Sequence, residues 1–252
     1  MKIYYFGLII AQILNKRQKP LKKEKMKLFL TLLSLVSLQT CISSTPPVDR
    51  NEPIWEPPKS EQKDLSKAYF ASGCFWCVEA DFEGLEGVKE AISGYTGGTS
   101  ENPTYKEVVQ GGTGHYEAVE IEFDPAIITL DEILHIFLRS VDVTDDGGQF
   151  CDRGESYRTA IFTKNKKQNE KAKAAIQKAE QELDRKIVTP IIKLEKFYIA
   201  EDYHQDYYKG ENFVLTRFGP RKQSNAYKLY RNSCRRDDTV KELWGSSAQF
   251  TE

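Results

Sequence analysis

The sequence predicts an α+β domain built of two layers, about 165 residues long. The chain has 252 residues, of which 40% are hydrophobic and 12% aromatic, so it can bury a sizeable core. Strand patterns and helix patterns alternate along it, and no internal repeat is visible. The long Val and Ile runs of a parallel sheet do not occur. These observations favour a two-layer α+β domain over a large doubly wound sheet.

The first three predicted elements surround a cysteine motif. Residues 68–71 are a short apolar strand that is closed by Gly73. Residues 74–82 read as a helix that Gly84 ends. Residues 88–95 then form a strand that runs into a glycine turn.

The later elements are predicted from spacing and caps. Residues 103–109 indicate a short helix, and residues 116–123 alternate apolar and polar side chains, which is the period of a strand. Residues 130–141 carry apolar side chains at helical spacing behind a Thr129 cap. Three further elements complete the domain: a strand at 158–162, a polar helix at 166–185 and a strand at 191–198.

The residues before this domain predict export. Residues 1–41 read as a basic leader and signal peptide, with apolar runs at 3–14 and 28–38 that are too short to span a bilayer. Residues 42–66 hold five of the ten prolines and predict an extended linker. We expect a protein of the periplasm or the outer surface of a bacterial cell envelope.

Cys41 ends the sequence Leu38-Gln39-Thr40-Cys41, which loosely resembles the lipobox of bacterial lipoproteins. Lipidation there would tether the protein to a membrane. Two alternatives stay open: Cys41 is an ordinary residue behind a cleaved signal, or translation starts at Met26, which leaves a compact signal peptide.

Charge and cysteine content exclude several classes of protein. The 36 Lys and Arg residues nearly balance the 37 Asp and Glu residues, and eight of the basic ones lie in residues 1–27. The domain therefore lacks the basic surface of a nucleic-acid binder. Five cysteines are too few for a disulfide framework and too scattered for a zinc ribbon.

The sharpest chemical feature is Gly73-Cys74-Phe75-Trp76-Cys77 at the predicted strand-to-helix junction. A thiol at a helix start faces unpaired backbone N–H groups, which predicts a pKa below the ordinary value of about 8.5. Cys74 is therefore a candidate nucleophile, with the two aromatic residues as walls of an apolar pocket. Two functions fit the motif: a thiol-disulfide oxidoreductase that uses Cys74 and Cys77, or a cysteine nucleophile that acts on a small electrophile.

Six sequence motifs, taken in their order along the chain, favour the second of these functions. They resemble, in order and spacing, the peptide methionine sulfoxide reductase A family over about 170 residues, from 67 to roughly 229, and more weakly to 244. The strings are GCFW (73–76), SGYTGG (93–98), NPTYKEV (102–108), GHYEAVEIEFDP (114–125), CDRGESYRTAIF (151–162) and AEDYHQDY (200–207). The resemblance implies a mixed, mainly antiparallel sheet with a ferredoxin-like core.

The resemblance also implies a reaction. The family reduces methionine sulfoxide, free or in proteins and as the S epimer, through a cysteine sulfenic acid and then an intramolecular disulfide that thioredoxin reduces. Cys74 matches the nucleophile, and Phe75 and Trp76 match the residues that hold the S-methyl group. We expect a monomer that binds no cofactor and no metal.

The other matched positions surround the oxygen of the substrate. Glu117 matches the carboxylic acid that protonates the sulfoxide oxygen. A carboxyl in an apolar pocket can act as an acid near neutral pH, because burial raises its pKa. Tyr105 and Tyr157 match the phenols that hydrogen-bond this oxygen, and Asp152 matches an acidic residue that organises the site.

The resolving thiol is left open by the sequence. The candidates are Cys234, Cys77 and Cys151, in that order. The resemblance puts Cys234 first, because resolving cysteines of the family often lie in a mobile C-terminal tail, and Cys234 lies in the predicted tail at residues 233–252, behind a reductase domain at 67–232. A zinc site built from the same three cysteines is a rival that would need a fourth ligand.

The sequence contains three histidines. His115 and His204 lie inside family motifs and are expected to have supporting roles, while His135 is expected on a helix surface.

A non-enzymatic alternative stays open: a lipid-tethered surface adhesin that kept the fold of the family. Such a protein would show no turnover of methionine sulfoxide with dithiothreitol as reductant.

Overall fold

The structure is a computed structural model, and it describes residues 64–251. The predicted signal peptide, Met26, Cys41 and most of the predicted linker lie outside the described residues. Within residues 64–251, every helix is too short or too polar to cross a membrane.

The described residues form ten strands and six α-helices. The strands are β1 (Ser66–Ser72), β2 (Val88–Thr96), β3 (Tyr116–Phe123), β4 (Gly148–Gln149), β5 (Asp152–Arg153), β6 (Thr159–Thr163), β7 (Ile191–Lys193), β8 (Tyr198–Ile199), β9 (Phe213–Thr216) and β10 (Gly219–Lys222). The helices are α1 (Phe75–Glu83), α2 (Tyr105–Gln110), α3 (Leu130–Leu138), α4 (Lys166–Leu183), α5 (Gln223–Ser233) and α6 (Arg236–Trp244).

The central sheet has six strands in the order β7-β6-β1-β3-β2-β8. The inner four, β6-β1-β3-β2, are antiparallel at every pairing and have the ferredoxin-like order. Strand β7 adds in parallel to β6 at one edge, and β8 adds antiparallel to β2 at the other. The predicted α+β sandwich with a mixed, mainly antiparallel sheet is confirmed.

The core lies where helices cover one face of this sheet. Phe70 of β1 stacks on Phe137 of α3 with ring centroids 4.3 Å apart, and Phe82 of α1 packs beside them. All three rings are essentially inaccessible to solvent. Burial of each such side chain contributes about 1.5–3 kcal/mol to folding, so these contacts hold α1 and α3 against β1.

Two predicted elements differ from the structure. The single strand expected at 191–198 is wrong: the chain leaves β7 at one edge of the sheet and reaches β8 at the opposite edge, and residues 194–197 connect them. Sequence periodicity cannot show that the chain changes sheet edge within eight residues. The helix expected over 130–141 is shorter, because it ends at Leu138, although Thr129 caps its start as predicted.

The segment expected as a C-terminal tail, residues 233–252, packs on the domain instead. It carries α6, whose Val240 and Trp244 join the main core. The Trp244 indole N–H donates to the carbonyl of Val141 at 3.1 Å. The expectation of a tail is therefore wrong, because a helix with a buried apolar side cannot leave the core without exposing it.

Candidate active site

The candidate site begins where β1 turns into α1. Gly73 connects them with φ +77°, a left-handed conformation, and a Cβ atom at this position would lie 2.7 Å from Cβ of Gln149. Glycine is therefore required both by backbone conformation and by space. The turn places Cys74 as the N-cap residue of α1, where its side chain is buried and only 7% exposed.

A cavity of about 80 Å³ opens at this junction. All seven residues that the sequence predicted for catalysis and substrate binding line it, together with one that the sequence missed. The lining residues are Cys74, Phe75, Trp76, Tyr105, Glu117, Asp152, Tyr157 and Tyr230.

Glu117 lies on β3 under the first turn of α1. Its side chain is 2% exposed, and its Oε2 accepts a hydrogen bond from the backbone N–H of Phe75 at 3.1 Å. Burial raises the pKa of this carboxyl well above its ordinary value, and the negative charge of Asp152 raises it further. The protonated form of Glu117, which is the one that can donate a proton, is therefore favoured.

Cys74 does not show the predicted low pKa. Burial raises the pKa of its thiol, and its hydrogen bond with the Cys77 sulfur raises it further. The same hydrogen bond lowers the pKa of Cys77. The prediction from the helix start is wrong here, because desolvation of a buried sulfur opposes the helix dipole.

Two phenols line the cavity together with Cys74. Tyr105 is the first residue of α2, and Tyr157 ends a 3-10 turn over Glu155–Tyr157. Both phenols line the same cavity as Glu117. Burial raises the pKa of both phenols, so each keeps its proton as a donor.

Tyr230 is the lining residue that the sequence missed. It lies on α5, and its hydroxyl donates to Oδ2 of Asp152. Burial raises the pKa of Asp152, while this hydrogen bond lowers it. The signal that could have found Tyr230 is the helical spacing of Tyr227, Tyr230 and Cys234 over three and seven residues, which places them on one face.

The apolar wall of the cavity rests on the segment with two short 3-10 turns at residues 202–209. Trp76 stacks on Tyr207 with centroids 3.8 Å apart, and its indole N–H donates to Nδ1 of His204 at 3.2 Å. Burial lowers the pKa of His204 to about 4, so the ring is neutral. His204 therefore holds a pocket wall, in line with the expected supporting role.

The other two histidines do not line the cavity. The Nε2 atom of His115 lies 2.8 Å from the carbonyl oxygen of Ser100, and its Nδ1 accepts from the N–H of Gly98 at 3.2 Å. His115 therefore ties together the loops beside β2 and β3. His135 lies on α3, half-buried.

Four of the five cysteines lie in the described part of the chain. Cys151 and Cys234 form a disulfide with Cα atoms 5.1 Å apart, whereas Cys74 and Cys77 are free. Cys234, the first-ranked resolving candidate, is thus bonded to the third-ranked one. The rival zinc site loses two of its three thiolates, because disulfide sulfurs are not thiolate ligands.

Comparison with known proteins agrees with this geometry. A family model described as peptide methionine sulfoxide reductase matches residues 66–245. The chain is 49% identical over 181 residues to peptide methionine sulfoxide reductase MsrA 2 of Rhizobium meliloti, which covers 72% of this chain and 84% of that protein. It is 50% identical over 153 residues to peptide methionine sulfoxide reductase MsrA of Listeria welshimeri, covering 60% and 86% respectively.

A solved structure shows the same likeness. Methionine sulfoxide reductase A of Corynebacterium diphtheriae aligns with a TM-score of 0.56 at 32% identity, covering 59% of this chain and 76% of that one.

Proposed function

This chain belongs to the peptide methionine sulfoxide reductase family, and we propose that Cys74 and Glu117 carry its reaction. The enzyme reduces methionine sulfoxide to methionine by a thiol-dependent reaction. The observation that carries the proposal is the enclosure of a thiol, a buried carboxyl and two phenols in one cavity beside an apolar wall. Sulfoxide reduction needs a nucleophile, an acid and donors to the oxygen, and these groups supply them.

The first step transfers oxygen from the substrate sulfur to Cys74. Glu117 protonates the sulfoxide oxygen while Tyr105 and Tyr157 donate hydrogen bonds to it. Cys74 Sγ attacks, the substrate S–O bond breaks, and an S–O bond forms on Cys74. The thiol proton of Cys74 replaces the one that Glu117 gave, so no net proton is consumed. The products are methionine, reduced by two electrons, and a sulfenic acid on Cys74, oxidised by two electrons.

The apolar wall selects the substrate. Phe75 and Trp76 receive the S-methyl group, and Trp76 is held by its stack on Tyr207. A pocket that holds the methyl group on one side and the oxygen on the other distinguishes the two sulfoxide epimers, and the family resemblance supports the S epimer. The substrate is methionine sulfoxide, free or within proteins.

Cys77 resolves the sulfenic acid in this proposal. It is free, and its backbone N–H donates to the carbonyl of Cys74 at 3.1 Å, whereas Cys151 and Cys234 are bonded to each other. Attack by the Cys77 thiolate forms the Cys74–Cys77 disulfide, and the hydroxyl of the sulfenic acid leaves as water with a proton from Glu117. A dithiol protein such as thioredoxin then reduces the disulfide and restores both thiols.

The free Cys74–Cys77 pair also fits the rival, a thiol-disulfide oxidoreductase. The requirement for Glu117 distinguishes the two functions, because sulfoxide reduction needs a proton donor to the oxygen and dithiol exchange does not. Glu117→Gln and Cys74→Ser are assayed for sulfoxide reduction with dithiothreitol and for disulfide exchange. Loss of sulfoxide reduction in both variants supports the proposal. Wild-type sulfoxide turnover by Glu117→Gln would overturn the role of the acid.

We also propose that the protein is exported and that Cys41 is a candidate membrane tether. The basic leader, the two apolar runs and the lipobox-like sequence support this. The mass of the mature N-terminus tests it. A lipid-modified Cys41 supports the tether, a cleaved but unmodified N-terminus supports export alone, and an intact N-terminus in the cytoplasm overturns both.

A further inference from the structure

We propose that Glu201 is a positioning residue that holds the phenol of Tyr105 at the sulfoxide oxygen. This deepens the proposed function and rests on it, because Tyr105 acts there as a hydrogen-bond donor to that oxygen. Glu201 is not among the eight residues that line the cavity. It acts through the backbone of Tyr105, from which it is separated by 96 residues in the sequence.

Both carboxylate oxygens of Glu201 accept hydrogen bonds. Oε1 accepts from the backbone N–H of Tyr105 at 2.9 Å, and Oε2 accepts from the hydroxyl of Tyr95 at 2.8 Å. Tyr105 is the first residue of α2, so its N–H has no acceptor within that helix. The carboxylate of Glu201 supplies the acceptor and fixes the point at which α2 begins.

The capping box of α2 does not do this. The Thr104 hydroxyl accepts from the backbone N–H of Glu107 at 3.4 Å, and the Glu107 carboxylate accepts from the backbone N–H of Thr104 at 2.8 Å. These two bonds order the first turn of α2 from within, and Glu107 is exposed. Glu201 is therefore the side chain that joins this turn to the rest of the site.

Tyr95 gives Glu201 a rigid partner. It lies on β2, its side chain is 0% exposed, and its ring packs against that of Phe75 with centroids 6.0 Å apart. A side chain in a closely packed core keeps its position. The carboxylate between Tyr95 and Tyr105 therefore fixes the start of α2 relative to the central sheet.

The backbone of Glu201 is fixed to the same sheet. Glu201 follows Ala200, whose N–H donates to the carbonyl of Ser93 on β2 at 2.9 Å. The carbonyl of Glu201 accepts from the N–H of His204 at 2.8 Å. Both ends of the Glu201 side chain are thus held, so a change in its length moves Tyr105. Misplacement of a reacting group by about 1 Å can cost about 10²-fold in rate.

Two substitutions of Glu201 separate position from charge. Glu201→Gln removes the charge and keeps the reach, because its carbonyl accepts from Tyr105 and its amide donates to the hydroxyl of Tyr95, which can also accept. Glu201→Asp keeps the charge but is one methylene shorter, so the two hydrogen bonds cannot both form. A positioning role predicts a fast Gln variant and a slow Asp variant. A role of the negative charge predicts the opposite order.

The test makes each substitution in the full-length wild type and in the Tyr105→Phe variant. Methionine release in the first turnover is measured by rapid mixing with saturating methionine sulfoxide. The matched control is Asp202→Asn, which changes an exposed carboxylate one residue later. Circular dichroism verifies that each variant is folded.

We expect Glu201→Asp to slow methionine release about 10- to 10²-fold, because the phenol is displaced from the oxygen. Glu201→Gln should lose no more than about threefold, since neutral hydrogen bonds replace charged ones. Asp202→Asn should react like wild type. In the Tyr105→Phe background, Glu201→Asp should cost less than about twofold more, because the hydroxyl that Glu201 positions is already absent.

Three results would overturn the role of Glu201: a wild-type rate in Glu201→Asp, a Gln variant as slow as the Asp variant, or an equal loss from Glu201→Asp in both backgrounds. The last would indicate a general loosening of the site. If Glu201→Asp does not fold, Tyr95→Phe replaces it, because it frees one carboxylate oxygen, and a loss confined to the background with the Tyr105 hydroxyl is expected. A wild-type rate in Tyr105→Phe itself would contradict the role of Tyr105 in the proposed function, and this proposal with it.

Discussion

The backbone N–H of Phe75 donates a 3.1 Å hydrogen bond to Oε2 of Glu117. This bond joins the residue directly after the nucleophile to the carboxyl that serves as acid. Within residues 64–251 it is the one backbone donor to the Glu117 carboxyl, and it fixes the carboxyl relative to Cys74 through the first turn of α1. Burial raises the pKa of Glu117 more than this bond lowers it, which favours the protonated carboxyl.

Glu117→Gln should lower the rate of sulfoxide reduction about 10²- to 10⁴-fold, because the amide keeps the shape but cannot protonate the oxygen. The rate of the first turnover in wild type should fall as pH rises through the raised pKa of Glu117, since the active form is protonated. Methionine release after rapid mixing measures both. Glu122→Gln, on the same strand, is the control and should react like wild type.

Cys77→Ser should separate the two halves of the reaction. The variant releases one methionine per enzyme but accumulates sulfenic acid, because no neighbouring thiolate can displace the hydroxyl. Turnover with thioredoxin falls sharply, whereas Cys74→Ser releases no methionine at all. Peptide mapping after one turnover shows the product. A disulfide between Cys74 and Cys234 in the wild-type protein would assign resolution to Cys234.

The disulfide between Cys151 and Cys234 should contribute to stability rather than to the first turnover. The bond closes a loop of 83 residues, for which chain entropy predicts up to about 4 kcal/mol. The double variant Cys151→Ser, Cys234→Ser should unfold at lower denaturant concentration and still release one methionine. Chemical denaturation followed by circular dichroism measures the first effect. Unchanged stability would contradict it.

Glu79 should make stability depend on pH. It is buried on α1 and accepts hydrogen bonds from the Ser93 hydroxyl and the Asp206 backbone N–H. Burial raises its pKa to about 7. A raised pKa in the folded state stabilises the protein at low pH, and this contribution is lost as pH rises from about 4.5 through about 7.

Glu79→Gln should therefore flatten the decline of the free energy of unfolding between these pH values, by at most about 3 kcal/mol. Urea titrations at four pH values measure it. Glu90→Gln, an exposed residue of β2, is the control. A decline as steep as in wild type would contradict the assignment.

His204→Leu should weaken substrate binding more than chemistry. The variant removes the acceptor for the Trp76 indole, which is a bond worth about 0.5–1.5 kcal/mol, so KM should rise about 2- to 12-fold with kcat changed less. His204→Asn offers a carbonyl oxygen in place of Nδ1 and should restore KM in part. Equal losses of kcat in both variants would indicate a chemical role for His204.

The sequence by itself determined most of the inner fold and the composition of the cavity. Strand β3 occurs at the predicted residues because its alternation is local, and the Thr129 cap of α3 is likewise a local signal. The seven predicted site residues were found through ordered motifs, and the structure brings all of them to one cavity. Local residue patterns and the order of motifs can both be recognised in the sequence without knowledge of the fold.

Only the tertiary structure decided the features that depend on burial and on distant contacts. The pKa of Cys74 is raised rather than lowered, because a helix start predicts the dipole but not the desolvation. Cys234 meets Cys151 across 83 residues, which leaves Cys77 as the free partner of the nucleophile. Tyr230 reaches the cavity only because α5 packs beside it. The helical spacing of Tyr227, Tyr230 and Cys234 shows that they share one face, but not what that face meets.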